Sequence, residues 1–131
     1  MTDRELLELA AKAAGIEYDK AASFPPDGKT YSFFGLWLVI EGEPNERTRR
    51  RWNPLTDDGD AFRLAVKLGM TISLIPPYEN DSYCSVVADW SDETGYPRTS
   101  IRIKHAGDPL AATRRAIVRA AAELAKQEVK T

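Results

Sequence analysis

Apolar residues recur at helical spacing near both ends of the chain and at strand spacing through its middle. In residues 3–14 (DRELLELAAKAA), Leu6, Leu7, Leu9, Ala10, Ala13 and Ala14 form a stripe at intervals of three or four. Thr2 or Asp3 is placed to cap this helix, and Gly15 to stop it in a left-handed turn. A second helix is predicted over 56–68. Thr56 is its expected N-cap, and Asp57, Asp58 and Asp60 fall in the first turn, where the helix dipole favours negative charge. Its apolar arc is broad: Phe62, Leu64, Ala65, Val66 and Leu68, with Gly69 as the stop. The last helix, over 109–127, opens on Asp108 and Pro109, a strong start signal. Leu110, Ile117, Val118, Ala121, Leu124 and Ala125 are expected to face inward. Arg115, Arg119, Ala122 and Lys126 are expected to face water.

Between the helices the pattern changes to strands. Residues 31–40 (YSFFGLWLVI) are apolar at odd and even positions alike, so both faces of that strand need cover. A short strand is also allowed at Ile16–Tyr18, and Phe24–Lys29 reads as a turn because Pro25, Pro26, Asp27 and Gly28 break regular structure. Residues 41–53 read as a polar connection ending in Arg49, Arg50, Arg51 and Trp52. Three short strands follow, at Met70–Ile75, Tyr83–Trp90 and Arg98–Lys104. The links between them are short and polar, which makes antiparallel hairpins. The predicted class is α+β: a three-layer α/β/α sandwich with three helices and a mainly antiparallel sheet of four to five strands. The 131 residues are expected to form one domain, since neither a repeat nor a long linker interrupts them.

Charge narrows the partners. Lys and Arg number 18 against 20 Asp and Glu, a formal net charge of −2. Nothing in that balance draws the whole chain to nucleic acid, so such a role would need a local patch. The single cysteine, Cys84, forms no intrachain disulfide and suits a reducing compartment. No apolar run approaches the roughly 20 residues of a membrane span, and the acidic first helix is unlike a signal peptide. A cytoplasmic protein is expected.

Chemistry is sparse. One His and one Cys do not build the usual zinc site. The acids at 57–60 lack the rest of a calcium loop and read as first-turn helix acids. Cys84 sits in a strand pattern as a small core residue, and a Cys84–His105 pair has no support in the spacing. Glycine-rich phosphate loops are absent. No catalytic residue, metal or cofactor is therefore expected, and no enzyme.

Two basic clusters remain. Arg47, Arg49, Arg50 and Arg51 precede Trp52, and Arg98, Arg102 and Lys104 alternate onto one face of the last strand, opposite Ile101 and Ile103. The plainer account of the second cluster is that a charged edge strand prevents sheet-to-sheet aggregation. The functional alternative is an anion site, in which arginines lie beside the free N–H groups at the helix starts near Thr56 and Pro109. Its expected ligand-binding residues are Arg51, Trp52, Asn53, Thr56, Arg98, Arg102, His105 and Arg114. Trp52 would stack on a base or sugar of a phosphorylated ligand. Trp37 and Trp90 read as core or interface, with Trp90–Tyr96 a hairpin tip.

The stretch from Trp52 to Gly69 (WNPLTDDGDAFRLAVKLG) and the stretch Ala112–Ala122 (ATRRAIVRAAA), with Glu5-Leu6-Leu7 at the start, resemble the phage ABA sandwich domain family and, more distantly, the phage NinX-like proteins. The resemblance covers nearly the whole chain and rests on helix caps and faces. It implies a phage- or prophage-encoded accessory protein acting in the host cytoplasm, and supplies no catalytic residues. The leading expectation is a non-enzymatic accessory protein that binds a small phosphorylated or nucleotide ligand, or a host protein, as in counter-defence. The alternatives are nucleic-acid binding through local Arg/Trp patches, which the net charge disfavours, and a structural or homo-oligomeric interaction module.

Overall fold

The computed structural model describes residues 2–18, 35–39, 49–74, 83–88, 99–104 and 107–129, with 37–39, 49–50, 83–88, 99–100 and 127–129 described by backbone alone. Within them the chain is a mixed α and β structure. Its elements are α1 (Asp3–Ala13), β1 (Leu36–Val39), β2 (Arg49–Trp52), α2 (Asp58–Lys67), β3 (Met70–Leu74), β4 (Tyr83–Ala88), β5 (Thr99–Lys104) and α3 (Pro109–Val129). The expected turn at 24–29, the links at 76–82 and 91–97, Trp90, and the flanks of the 31–40 strand lie outside the described residues.

Local chemistry sets the helix ends. Thr2 caps α1 through a reciprocal box: its Oγ1 accepts from the Glu5 amide at 3.1 Å, and its own amide donates to Glu5 Oε2 at 3.2 Å. Gly15 and Gly69 follow α1 and α2 at φ of 66° and 64°, a conformation that favours glycine. Asp108 caps α3, its Oδ1 accepting from the Ala111 amide at 3.0 Å.

Arg49–Trp52 is not part of a connection. It is strand β2, paired antiparallel with β1 in the register Leu36↔Trp52 and Trp37↔Arg51. The arginines hid the strand's alternation. Trp52 is buried at 2% exposure with the wholly buried Leu36, while Arg51 is exposed. A residue next to an inward-facing one points to the other side of a strand.

The described strands form two sheets, β1–β2 and β3–β4–β5, where one sheet of four to five strands was expected. Both pairings in the larger sheet are antiparallel, as the short links predict. The register puts Met70, Ile72, Leu74, Val86, Ile101 and Ile103 at positions on one face. Met70, Ile72, Ile101 and Ile103 pack against the core there.

Helix α3 is the hub. It contacts β4 and β5 on one side, α1 most extensively, and α2 as well. From Ala116 to Ala125 only Arg119 is exposed. A helix covered nearly all round loses its amphipathic signature. Ala122, assigned to the wet face by periodicity, is in fact buried at 1% exposure. Small side chains explain how a helix fits there: Ala112, Ala116, Ala120, Ala121, Ala122 and Ala125 are all buried, and Ala116, Ala120, Ala121 and Ala122 share one core cluster with Ala10, Ala11 and Ala14 of α1. Leu110, expected inward, lies at the open start of α3 and is 63% exposed. The arc of α2 is also narrower than its sequence suggests. Ala61, Leu64, Ala65 and Leu68 are buried, while Phe62 and Val66, one turn apart on its flank, are 66% and 63% exposed.

Candidate functional site

The anion site expected at the start of α2 is already filled by the protein's own groups. The helix cap is Asp57 rather than Thr56, because the Asn53 carbonyl accepts from both the Thr56 amide (3.1 Å) and the Asp57 amide (2.9 Å) in a turn that delays the helix by one residue. Asp57 Oδ1 then accepts from the Asp60 amide at 2.8 Å. The Thr56 hydroxyl donates back to the Asn53 carbonyl at 3.4 Å.

Asn53 and Asp60 are the buried polar residues of this region, at 3% and 5% exposure. The Asn53 amide donates to Asp60 Oδ2 at 2.9 Å, and Asn53 Oδ1 accepts from the Leu55 amide at 2.9 Å. Asp60 Oδ1 takes a further bond from the Arg63 guanidinium at 2.8 Å. Buried polar groups partnered in this way hold a turn in shape. Asn53 and Thr56 therefore build the corner between β2 and α2, and Trp52, enclosed in the core, offers no face to a base.

The arginines beside the helix starts are likewise engaged. Arg114, half-buried on α3, donates through Nε to the Leu55 carbonyl at 2.8 Å and through a terminal nitrogen to Asp58 Oδ1 at 2.6 Å. Arg115 pairs with Asp3 of α1 at 3.0 Å. Both ion pairs tie helices together. Of the residues expected at one site, then, Trp52, Asn53, Thr56 and Arg114 gather around the β2–α2 corner, but as structure. Arg98 and His105 lie outside the described residues.

Arg102 of the expected site lies on the outer face of β3–β4–β5, whose described side chains are Thr71, Ser73, Arg102 and Lys104. Register places Thr71, Val87 and Ser100 in one row across it, Ser73, Ser85 and Arg102 in the next, and Tyr83 and Lys104 in a third. Thr71, Ser73, Arg102 and Lys104 are exposed, in contrast to the half-buried isoleucines that alternate with them. An antiparallel sheet with one packed and one wet face produces this alternation. None of the eight positions is acidic. Its described side chains are thus two exposed cations, Arg102 and Lys104, and two exposed hydroxyls, Thr71 and Ser73. Arg102 and Lys104 were legible from their alternation with Ile101 and Ile103. Thr71 and Ser73 were not singled out, since uncharged side chains give a weak signal until register places them on the same sheet face as Arg102 and Lys104.

Among the described residues, no cluster of three or more His, Cys, Asp or Glu is arranged to hold a metal ion, and no helix is long and apolar enough to cross a membrane. Comparison with known proteins found no match to any family model, curated protein or solved structure.

Proposed function

We propose that this protein is a non-enzymatic binding domain for an anionic ligand, and that the ligand lies on the outer face of β3–β4–β5. The observation that carries the reading is the exposure of Arg102 and Lys104 on the same sheet face as the exposed Thr71 and Ser73. Guanidinium and ammonium groups supply charge-assisted hydrogen bonds to phosphate oxygens, and neighbouring hydroxyls add neutral ones. This moves the site from the helix starts, where Asp57, Asp58, Asp60 and Asp108 occupy the ground an anion would take.

The finer fold reading changes with it. We read three layers in the order sheet, α3, α1, in place of helices on both sides of one four- to five-stranded sheet. The contacts of α3 with the sheet and with α1 support that order. An accessory role in a phage or prophage, in the host cytoplasm, rests on the resemblance of Trp52–Gly69 and Ala112–Ala122 to the phage ABA sandwich domains.

Calorimetry with inorganic pyrophosphate and a panel of linear and cyclic nucleotides tests the binding reading. Binding that is lost in Arg102→Gln/Lys104→Gln supports it. No heat at high micromolar ligand, or binding unaffected by the double substitution, overturns it.

A further inference from the structure

Resting on the sheet-face reading above, we infer that the ligand is a single-stranded nucleic acid whose backbone runs along β5, bound through phosphates and without regard to base sequence. Arg102 and Lys104 are two positions apart on one strand and both exposed. Two residues of an antiparallel strand advance about 7 Å. That distance is comparable to the separation of consecutive phosphates in an extended single strand, so adjacent phosphates would meet adjacent cations. A mononucleotide would engage only one such pairing at a time.

The neighbouring rows continue the pattern. Ser73 stands across from Ser85 and, beyond it, Arg102. The exposed Thr71 and Ser73 lie on the edge strand β3, so hydroxyl donors border the track two strands away from the cations. The described side chains of this face, Thr71, Ser73, Arg102 and Lys104, are exposed, and such a strand surface suits a flexible, extended polymer better than a rigid duplex. Phosphate contacts position a nucleic acid but carry no sequence information. A chain with a formal charge of −2 then binds through this local cation pair alone, and weakly.

Fluorescence anisotropy tests this with a labelled thymidine dodecanucleotide, a labelled adenosine dodecanucleotide, the duplex they form, and unlabelled thymidine monophosphate as competitor. The single strands are expected to bind alike, and about tenfold or more tighter than the monophosphate, because a second phosphate contact becomes intramolecular. Two phosphate contacts at about −0.7 each give a log–log salt slope of about −1.4. Arg102→Gln/Lys104→Gln abolishes the signal, and each single substitution roughly halves the slope. Lys12→Gln, which removes an exposed cation on α1, leaves it unchanged. If pyrophosphate or a mononucleotide binds through Arg102 and Lys104 but the oligonucleotides bind no tighter, the inference fails and the anion reading stands. If no phosphorylated compound binds, both fail. Preference for the duplex, or for one base sequence, also overturns the inference.

Discussion

Arg114 reaches across 56 residues of sequence to Asp58, its terminal nitrogen 2.6 Å from the carboxylate, while its Nε bonds the Leu55 carbonyl at 2.8 Å. The two bonds differ in weight. The arginine side chain is 17% exposed and Asp58 65% exposed, so the ion pair is largely screened by water. The bond to the Leu55 carbonyl is part-buried and fixes the corner that leads into α2. Arg114→Ala is therefore expected to destabilise the protein by about 1.5–3 kcal/mol, the range for a charged hydrogen bond. Asp58→Ala should cost under about 1 kcal/mol. Urea unfolding of both variants checks the order; equal losses would mean that the ion pair carries the contact.

The buried Asp60 carboxylate gives a second prediction. It accepts the amide of Asn53, and both residues are buried. Asp60→Ala removes that acceptor and should cost about 1–3 kcal/mol. A drop in urea midpoint with an unchanged m-value is the expected signature.

Helix α2 separates packing from mere hydrophobicity. Leu64 is 2% exposed and Phe62, two residues earlier, is 66% exposed. Leu64→Ala should cost about 2–5 kcal/mol. Phe62→Ala should cost under about 1 kcal/mol, since little of the ring leaves water on folding. The larger side chain thus gives the smaller effect, and thermal melts of the two variants would reveal a reversal.

Tyr18 supplies a pH dependence. Its phenol is raised above the ordinary value of 10.0, first by desolvation and then by the negative charge of Glu8, against a smaller opposing effect of Arg4. A raised pKa means that the folded state holds the proton more tightly than the unfolded one. The associated stability is fully present below pH 10.0 and is lost as pH rises from there through the folded value. Tyr18→Phe should flatten this alkaline fall. Denaturant unfolding at several alkaline pH values, with the wild type and Tyr18→Phe compared, checks it; parallel curves would contradict the assignment.

Helix boundaries were legible in the sequence because caps are local. Thr2, Asp108, Gly15 and Gly69 act within a few residues of themselves. Burial was less legible because it depends on the neighbours. Ala122 reads as surface by its spacing from Arg115 and Arg119, yet the central position of α3 buries it. Trp52 follows three arginines and reads as a polar segment, and only pairing with β1 turns it inward. The same long-range contacts moved the candidate site. Charge near a helix start suggests an anion site until the partners of Arg114 and Arg115 are seen, whereas the Arg102/Lys104 alternation along β5 needed no partner to be read.

Chemical-shift mapping by NMR tests the central claim most directly. On titration with a short single-stranded oligonucleotide, the account predicts that the perturbed amides cluster on β3, β4 and β5 around Thr71, Ser73, Arg102 and Lys104. The amides at the starts of α2 and α3 should stay fixed. Perturbations centred on Asp57–Asp60 or Asp108–Ala111, with the sheet unmoved, would contradict it.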